Sequence, residues 1–351
     1  MNKVLLINNG YPDEKNKNYC TYIKSIRECL EACDNVDFVD VLTIDLSKDK
    51  IRRYIDFYIR ILKLDINKYD ILYINHWSNL YYPFLFKRIR NKHVVINYHG
   101  SDLVSNSKIK RLNNYIGLRF IPRTAEVIVP SYYFKNIISK KIKNNISVIP
   151  SGGVDTKIFY KYKDEYKHNN KLKIGFCSGV TYGKGYDVVR ELIQYVNKLC
   201  MNIEFNIVDY GDKKYEFKEF IKENELGLNV KYHSVVEKNK MVEFYNQMDY
   251  VIFPTRRREE ALGLVSLEAM ACGIPVIGSN AFAVPEYIEN NLNGYLININ
   301  KYEEIFKVIK ELNEKEYLEY NKMSLRAREV ILSKYSKEIC ILRYRELIER
   351  D

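Results

Sequence analysis

The sequence contains no long apolar run, which argues against a membrane-spanning segment. Its longest uncharged stretch, Ala269 to Pro285, is interrupted by two glycines, a proline and an asparagine, and is too broken to cross a bilayer. At the N-terminus only Val4 to Ile7 are apolar before a polar residue follows, far short of the apolar core of a signal peptide. We therefore expect a cytoplasmic protein.

Cysteine is scarce, and metal-ligand spacings are missing. No two of the seven cysteines form a CxxC pair, the five histidines are dispersed, and no D-x-D arrangement occurs. An odd and scattered cysteine count favours reduced thiols that are ordinary core residues. A metal site built by the protein is not expected. We also predict that the protein needs no cofactor and binds only its substrates.

Glycine and proline are also few, 15 and 8 respectively, which excludes a fibrous repeat. With 46% hydrophobic and 29% charged residues, the composition excludes a disordered chain. A length of 351 residues is enough for two domains.

The positive charge is concentrated in the first half of the chain. Residues 1–160 hold 26 Lys and Arg against 15 Asp and Glu, whereas residues 161–351 hold 30 of each. The basic half is suited to an anionic partner, such as a membrane surface, a phosphorylated lipid or nucleic acid. A solvated, lysine-rich surface without any partner is the equally weighted alternative. The most basic stretches are Lys87 to Arg90, Lys108 to Arg111 and Lys140 to Lys143.

Short β-branched runs alternate with helical patterns in both halves, and this alternation predicts parallel sheets covered by helices. A polar stretch, residues 160–170, separates the two series. We predict an α/β protein of two Rossmann-like, doubly wound domains facing across a cleft. The predicted boundaries are residues 1–159, an acceptor-binding domain, residues 171–325, a nucleotide-sugar-binding domain, and residues 326–351, terminal helices of which the last is able to pack back on the first domain.

The segment from Phe253 to Pro275 carries most of the chemical information. It is the end of a strand, a loop, a helix that begins near Leu264, and a stop at Gly273 and Pro275. The first free amides of that helix belong to residues 263–265, and such a helix N-terminus binds anions, phosphate in particular.

Two acids bracket this electropositive point. Glu260 lies in the loop before the helix, and Glu268 lies about 6 Å further along its axis, at 1.5 Å per residue. Either glutamate alone is more readily interpreted as an exposed helical residue or as one that favours the helix dipole. Together with Gly263 they indicate a phosphate site flanked by acceptors for sugar hydroxyls.

This segment resembles the glutamate–seven residues–glutamate element of family 4 retaining glycosyltransferases of the two-Rossmann (GT-B) type. Further segments fit that family in the same order. They are the HGSD turn at His99–Asp102, the "IPNGVD…F" motif at Ile149–Asp155 with Phe159, the "G…KG.D" loop at Gly179–Asp187, and the "G.NGYL" end at Asn291–Leu296.

The resemblance implies a role for each matching position. Glu260 would hold hydroxyls of the donor sugar, and His99 would reach the sugar from the first domain. The amides of Gly263, Leu264 and Val265, with the Lys184 ammonium, would bind the diphosphate. Two more donor contacts follow, Glu268 at the nucleotide ribose and Gly10 in the turn after the first strand.

The chain departs from the family pattern at two places. Gly179 stands where an arginine usually precedes the lysine of the KG pair, and the Arg256–Arg258 run is either a substitute cation source or a solvated loop. The region after the first strand, Asn9 to Tyr19, has no glycine pair, which is the feature that lets this backbone approach the phosphates in the family.

The implied activity is transfer of a sugar from a nucleoside diphosphate sugar to an acceptor hydroxyl, retaining and independent of metal, in the assembly of a surface polysaccharide, glycolipid or glycan. Three alternatives are a sugar-nucleotide epimerase, a non-catalytic partner subunit and a nucleic-acid-binding protein. The sequence lacks any aromatic-basic motif of the kind that the third alternative needs. The acceptor is a glycan or a lipid-linked sugar, and the basic first domain suggests peripheral contact with an anionic membrane.

Overall fold

The computed structural model describes residues 1–12, 20–89, 91–162, 171–234 and 240–349. The chain divides into two compact units. The first comprises Met1–Gly153, Arg258–Ala261 and Lys337–Asp351, and the second comprises Val154–Arg257 and Leu262–Ser336. The predicted first domain extends to residue 159, six residues beyond this division.

The described part of the first unit holds a parallel sheet of six strands in the order β2-β1-β3-β4-β5-β6. Its central strands are almost wholly apolar because helices cover both faces. The strands are β1 (Asn2–Asn8), β2 (Val36–Thr43), β3 (Ile71–Asn75), β4 (His93–Asn97), β5 (Glu126–Val129) and β6 (Ile146–Val148).

Right-handed crossovers place the helices of this unit on opposite faces of the sheet. Helices α2 (Lys50–Lys63), α3 (Trp77–Phe84), α4 (Lys108–Arg119) and α5 (Tyr132–Ile138) share one core cluster. Helix α1 (Thr21–Glu31) shares the opposite cluster.

The last helix, α12 (Lys337–Ile348), packs beside α1 in the first unit. Lys337 Nζ lies 2.6 Å from Glu28 Oε2, and the Tyr73 hydroxyl, from the sheet, donates to the Tyr344 hydroxyl at 3.3 Å. The C-terminal helix therefore completes the cover of the first sheet.

The described part of the second unit holds another six-stranded parallel sheet, in the order β12-β11-β10-β7-β8-β9. The chain reverses direction across the sheet between β7 and β10, and ligands of such sheets bind outside the carboxyl ends at this switch point. The strands are β7 (Leu172–Phe176), β8 (Ile203–Val208), β9 (Val230–His233), β10 (Tyr250–Phe253), β11 (Val276–Ser279) and β12 (Gly294–Ile297).

Six α-helices accompany this sheet among the described residues. Most of their apolar side chains join one large cluster with the strands. The helices are α6 (Tyr186–Lys198), α7 (Lys214–Glu223), α8 (Met241–Tyr245), α9 (Leu264–Ala271), α10 (Tyr302–Glu314) and α11 (Tyr317–Val330), which continues into a π-helical turn at Ile331–Tyr335.

The predicted fold class, α/β with two Rossmann-like halves, is confirmed by these two sheets. β12 is not predicted by the sequence. The other eleven strands fall within two residues of the short apolar runs that predict them, which are residues 3–7, 37–44, 70–75, 94–98, 126–129, 147–149, 173–177, 204–208, 230–233, 250–253 and 275–278. No helix in the described ranges combines the length and the apolarity needed to cross a membrane. Five of the seven cysteines are buried.

Candidate functional site

The loops at the switch point of the second sheet are tied together by hydrogen bonds. The loop after β7 contains Lys184, and the loop after β10 begins at Pro254. The Arg256 amide donates to the Gly183 carbonyl at 2.9 Å. Gly185 has φ +77°, and a Cβ there would collide with the Pro254 carbonyl. Only glycine allows this close approach of the two backbones.

The Phe253 ring at the end of β10 joins Lys184 to the start of helix α9. Lys184 Nζ lies 5.3 Å from the centre of that ring. Gly263, the residue before the helix, has φ +75°, and a Cβ on it would lie 2.5 Å from two ring carbons of Phe253. The ammonium and the amino end of α9 therefore border the same aromatic side chain. Both are positive, and together they are suited to an anion.

Glu268 lies one turn into α9 and is 7% exposed. Its Oε2 accepts a hydrogen bond from the Tyr245 hydroxyl at 3.1 Å. Burial raises the pKa of the Cys177 thiol at the end of β7, and the Glu268 carboxylate adds to this shift. Glu268 is therefore held between α8 and the loop after β7, and it is not the solvated helical glutamate of the simpler interpretation.

Gly179, which stands where the family pattern has an arginine, packs against an aromatic side chain. The Tyr210 ring covers this position, and a Cβ on Gly179 would lie 3.0 Å from Tyr210 Cε2. The Tyr210 hydroxyl also donates to the Cys177 carbonyl at 3.3 Å. A larger residue at 179 would have to displace this tyrosine.

The three arginines after β10 have different environments. Arg256 donates to Asp187 Oδ2 at 2.7 Å and to Asn300 Oδ1 at 3.1 Å, which fixes it as a structural link within the second unit. Arg257 lies beside the Lys184 loop, with its Cγ 3.1 Å from where a Cβ on Gly183 would be. Arg258 is exposed. Arg257 is thus the arginine whose stem adjoins the loop that contains Lys184.

Replacing Gly263 by alanine should both destabilise the protein and weaken anion binding. An alanine at this position would have to adopt the left-handed backbone conformation, and its methyl group would press on Phe253. We expect the free energy of unfolding to fall by about 1–3 kcal/mol. The matched control is Gly227→Ala, since no described atom lies within 4 Å of a Cβ there. Thermal unfolding measures both variants. Equal melting temperatures would contradict the close packing of Gly263 on Phe253.

In the first unit, the carboxyl ends of β3 and β4 carry a polar cluster that includes His99. The His99 and His76 rings lie 4.6 Å apart between centres, and the Tyr22 ring lies 4.7 Å from His99. Asp102, 3% exposed, accepts the backbone N–H groups of His99 and Gly100, each at 2.9 Å. His76, Tyr22 and Asp102 were not predicted as functional residues.

Hydrogen bonds define the protonation of the His99 ring. The Asn75 amide group donates to the Ile7 carbonyl at 3.4 Å and accepts from Asn97 at 3.3 Å, which orients its Oδ1 toward His99. His99 Nε2 lies 2.8 Å from that oxygen and must therefore donate to it. Burial, with a smaller effect of His76, lowers the pKa of His99 to about 3. The ring is neutral, and its Nδ1 is an acceptor.

The His76 ring lies between an acid and a hydroxyl group. Its Nδ1 lies 3.5 Å from Asp102 Oδ2, and its Nε2 lies 2.7 Å from the Tyr22 hydroxyl. Burial raises the pKa of Asp102, but its interactions with His76 and with the ring and backbone N–H of His99 more than offset this, and the pKa is lowered. His76 also has φ +53°, an uncommon conformation for a residue with a side chain.

The loop residues Arg258–Ala261, which contain Glu260, group with the first unit. The Glu259 carbonyl occupies the space that a Cβ on Gly100 would need, and Gly100 has φ +113°. The HGSD turn therefore packs against the residue next to Glu260. Glu260 is partly exposed.

Gly10 is buried in the turn after β1, and its carbonyl accepts a hydrogen bond from the Asn8 side chain. The carboxyl ends of β1 and β3 adjoin at the switch point of the first sheet, so the position of Gly10 fits a ligand-binding turn. Asn18 and Tyr19 lie outside the described residues. In the described ranges, no three His, Cys, Asp or Glu side chains form a group able to hold a metal ion.

The neutral state of His99 makes a prediction about pH. An unfolded histidine has a pKa of about 6.5. Between pH 6.5 and about 3 the unfolded chain therefore carries a proton at His99 that the folded chain does not. His99 should therefore destabilise the fold as the pH falls from 6.5, and its imidazole ¹⁵N signals should show an unchanged Nε2–H tautomer from pH 8 to 5. In Asn75→Asp the carboxylate should raise the pKa of His99 and bring its titration into this range. Titration of wild-type His99 above pH 5 would contradict the network.

Comparisons with known proteins identify the family to which the chain belongs. A family model described as "Glycosyltransferase Family 4" matches residues 20–157, and one described as "Glycosyl transferases group 1" matches residues 159–330. The chain belongs to these family 4, group 1 glycosyltransferases.

Individual relatives are similar over most of the chain. The chain is 26% identical over 302 residues to an uncharacterized 41.2 kDa protein in the cps region of Klebsiella pneumoniae, covering 82% of this chain and 81% of that one. It is 25% identical to the N-acetyl-alpha-D-glucosaminyl L-malate synthase of Bacillus anthracis, with coverage of 72% and 66%.

Solved structures share the fold. A sucrose-phosphate synthase from Thermosynechococcus elongatus superposes with a TM-score of 0.78 at 16% identity, covering all of both chains. Anabaena HepE, in complex with UDP and glucose, superposes with a TM-score of 0.77 at 18% identity, covering 99% of each.

Proposed function

We propose that this glycosyltransferase transfers a hexosyl group from a nucleoside diphosphate sugar to an acceptor hydroxyl, with retention of configuration and without a metal ion. The observation that carries the proposal is the placement of the Lys184 ammonium and the amino end of α9 against one ring, Phe253, at the switch point of the second sheet. These positive groups would stabilise the charge that develops on a departing diphosphate.

The residues of the second unit have separate roles in this proposal. The amides of Gly263, Leu264 and Val265 bind the distal phosphate, and Lys184 binds the diphosphate beside them. Glu268, held by Tyr245, accepts hydrogen bonds from the ribose. Arg257 supplies the cation that Gly179 cannot.

The remaining residues act at the sugar. Glu260 orients hydroxyl groups of the donor sugar, and neutral His99 accepts a hydrogen bond from the sugar through Nδ1. Gly10 lets the turn after β1 approach the donor. Each of these contacts gains strength when water is excluded from the reacting groups.

The reaction proceeds on one face of the sugar. The bond between the anomeric carbon and the diphosphate oxygen breaks, and its electron pair leaves with the diphosphate. The acceptor oxygen bonds to the anomeric carbon from the same face, and its proton passes to a diphosphate oxygen. No general base from the protein is required.

Relatives favour a uridine nucleotide and a surface glycan. HepE is known in complex with UDP and with UDP-glucose, and another relative is an amylovoran biosynthesis glycosyltransferase of Erwinia amylovora, 24% identical over 51% of this chain and 45% of its own length. We therefore propose a UDP-sugar donor and a glycan or lipid-linked acceptor at an anionic membrane, on the cytoplasmic side.

A donor screen tests the proposal. Thermal unfolding with UDP-, GDP-, ADP- and TDP-sugars should show one donor, a UDP-sugar, that raises the melting temperature by about 5 °C or more at 100-fold excess over its Kd. Incubation of that donor with lipid-linked acceptors should give a product that retains the anomeric configuration. Interconversion of the donor without an acceptor would identify an epimerase. Binding without turnover would indicate a non-catalytic partner, and absence of binding would overturn the donor site.

A further inference from the structure

The outer surface of helices α2, α3 and α4 in the first unit, here called the α2–α4 face, combines exposed apolar side chains with cations. We propose that it is a membrane-docking surface that lies on an anionic lipid bilayer. This inference rests on the proposed function and deepens it, since it concerns the membrane at which the proposed acceptor lies.

Helix α2 exposes a continuous apolar stripe. Ile51, Ile55, Ile59 and Leu62 are 72%, 54%, 45% and 43% exposed. At 100° per residue these four positions fall within about 80° of one another around the helix, on the side away from the buried Phe57. Single exposed apolar residues need no explanation, but a stripe over three turns of a helix indicates an interaction surface.

Helix α4 repeats this pattern two helices away on the same side of the sheet. Ile109, Leu112 and Tyr115 are 82%, 60% and 51% exposed. Helix α3 lies between α2 and α4, since the Tyr58 hydroxyl donates to the Asn79 carbonyl at 2.6 Å and the Tyr82 hydroxyl donates to Asn113. The two stripes therefore belong to one face.

The charge of α3, α4 and the loops that flank them is almost entirely positive. Residues 76–125 contain nine Lys and Arg against one acid, Asp102, which is buried. On α2, Arg52 and Arg60 pair with Asp49 and Asp56, at 3.4 and 3.9 Å, and Lys63 adds a cation at the end of the helix beside the apolar stripe. Exposed apolar residues flanked by cations are the pattern of an element that lies in the interface of an anionic membrane.

A cavity of about 980 Å³ lies at the edge of this face. It is formed by the loops that precede β4 and β5, at the amino ends of the strands and opposite to the histidine cluster. Its lining includes Phe86, which is 84% exposed, and the cations Arg88, Arg119 and Arg123. Arginines beside apolar walls match the phosphate and the upper acyl region of an anionic lipid.

Lys87 is not counted among the lipid-binding cations. Its Nζ donates to the carbonyls of Leu62 and Leu64, at 2.8 and 2.5 Å, and thereby fastens the end of α2 to the cavity wall. The stripe on α2 and the cavity are consequently joined in one rigid surface.

Vesicle co-sedimentation tests the proposal with the full chain. Binding to phosphatidylcholine vesicles that contain 30% phosphatidylglycerol should be strong, and binding to phosphatidylcholine alone should be weak. The double variant Arg88→Gln/Arg123→Gln should reduce partitioning about 25-fold, or fivefold per cation. The double variant Ile51→Ser/Ile55→Ser should reduce it about tenfold.

Matched controls come from the second unit. Leu228→Ser/Leu325→Ser removes apolar groups that are 88% and 53% exposed, and Lys198→Gln/Lys222→Gln removes two exposed cations. Both controls should partition within twofold of the wild type. Equal losses in test and control variants, or unchanged binding in the test variants, would overturn the docking surface.

Two other occupants are outcomes of the same test. If random-sequence RNA binds as tightly as the anionic vesicles and the isoleucine variant binds RNA normally, the face is a nucleic-acid surface. If the wild type is a dimer in solution and the isoleucine variant is a monomer, the face is an interface between copies. Either result would overturn the proposal. Donor-induced thermal shifts should be normal in all variants, which separates a failure of docking from a failure of the donor site.

Discussion

Replacing Glu260 by glutamine should lower kcat by about 10²- to 10³-fold while the donor still binds. The carboxylate is proposed to orient sugar hydroxyls and to favour the positive charge that develops at the anomeric carbon. Misplacement of a reacting group or loss of one electrostatic contact has an effect of this size. Single-turnover kinetics measures the loss, and titration calorimetry measures donor affinity.

The neighbouring residue provides the control for this experiment. Glu259→Gln removes the same charge from the same loop, and its activity should be within about threefold of the wild type. The main-chain contact of residue 259 with Gly100 is unaffected by the substitution. Turnover by Glu260→Gln near the wild-type rate, or an equal loss in both variants, would contradict the role of Glu260.

Replacing Lys184 by glutamine should lower kcat/KM by about 10²-fold or more. The loss removes a cation from the groups that neutralise the departing diphosphate, where preorganised charge is worth more than in water. Arg257→Gln should have a smaller effect. The contact of Arg257 with the Lys184 loop, at Gly183, is made by its aliphatic stem, which glutamine largely keeps. Steady-state kinetics with the donor found by the screen measures both.

A lysine with the same kind of aromatic contact serves as the control. Lys214 Nζ lies 4.8 Å from the centre of the Tyr215 ring, and Lys214→Gln should leave kcat/KM unchanged. The free energy of unfolding of Lys184→Gln provides a further check. If it falls by as much as the free energy that corresponds to the loss of kcat/KM, the contact of Lys184 with Phe253 has a structural role and the assignment to the diphosphate fails.

The sequence was sufficient to predict most of the sheet. Strands such as β3 and β10 are short apolar runs bounded by polar residues, and buried parallel strands have this pattern. β12 was missed because its four residues, Gly294–Ile297, follow directly on a turn. Helices α3, α4, α5, α10 and α11 were not predicted. Helix α3 is apolar around most of its circumference and contains Pro83, so that it lacks the periodicity of a surface helix.

The part of the candidate site that lies in the second unit was equally accessible from the sequence. Gly263 and Lys184 lie in local motifs in which residue type and spacing have a direct physical meaning. The structure adds Phe253, which both residues border. The individual roles of these residues remain predictions.

The histidine cluster could not be predicted from spacing. Asn75, His76 and His99 come from the ends of two strands, and Tyr22 comes from a helix more than 50 residues earlier. Their proximity follows from strand order, which periodicity does not specify. The replacement of an arginine by Gly179 was visible in the sequence, but the contact of Gly179 with the ring of Tyr210 depends on the neighbouring loop.

The position of α12 has a consequence for how this protein is synthesised. The buried side chains of α12 and those of α1 share one cluster, yet more than 300 residues separate the two helices. A ribosome therefore finishes the second unit before the last piece of the first unit emerges. Until then the cluster is open to solvent, and we expect the nascent chain to need protection by chaperones over most of its translation.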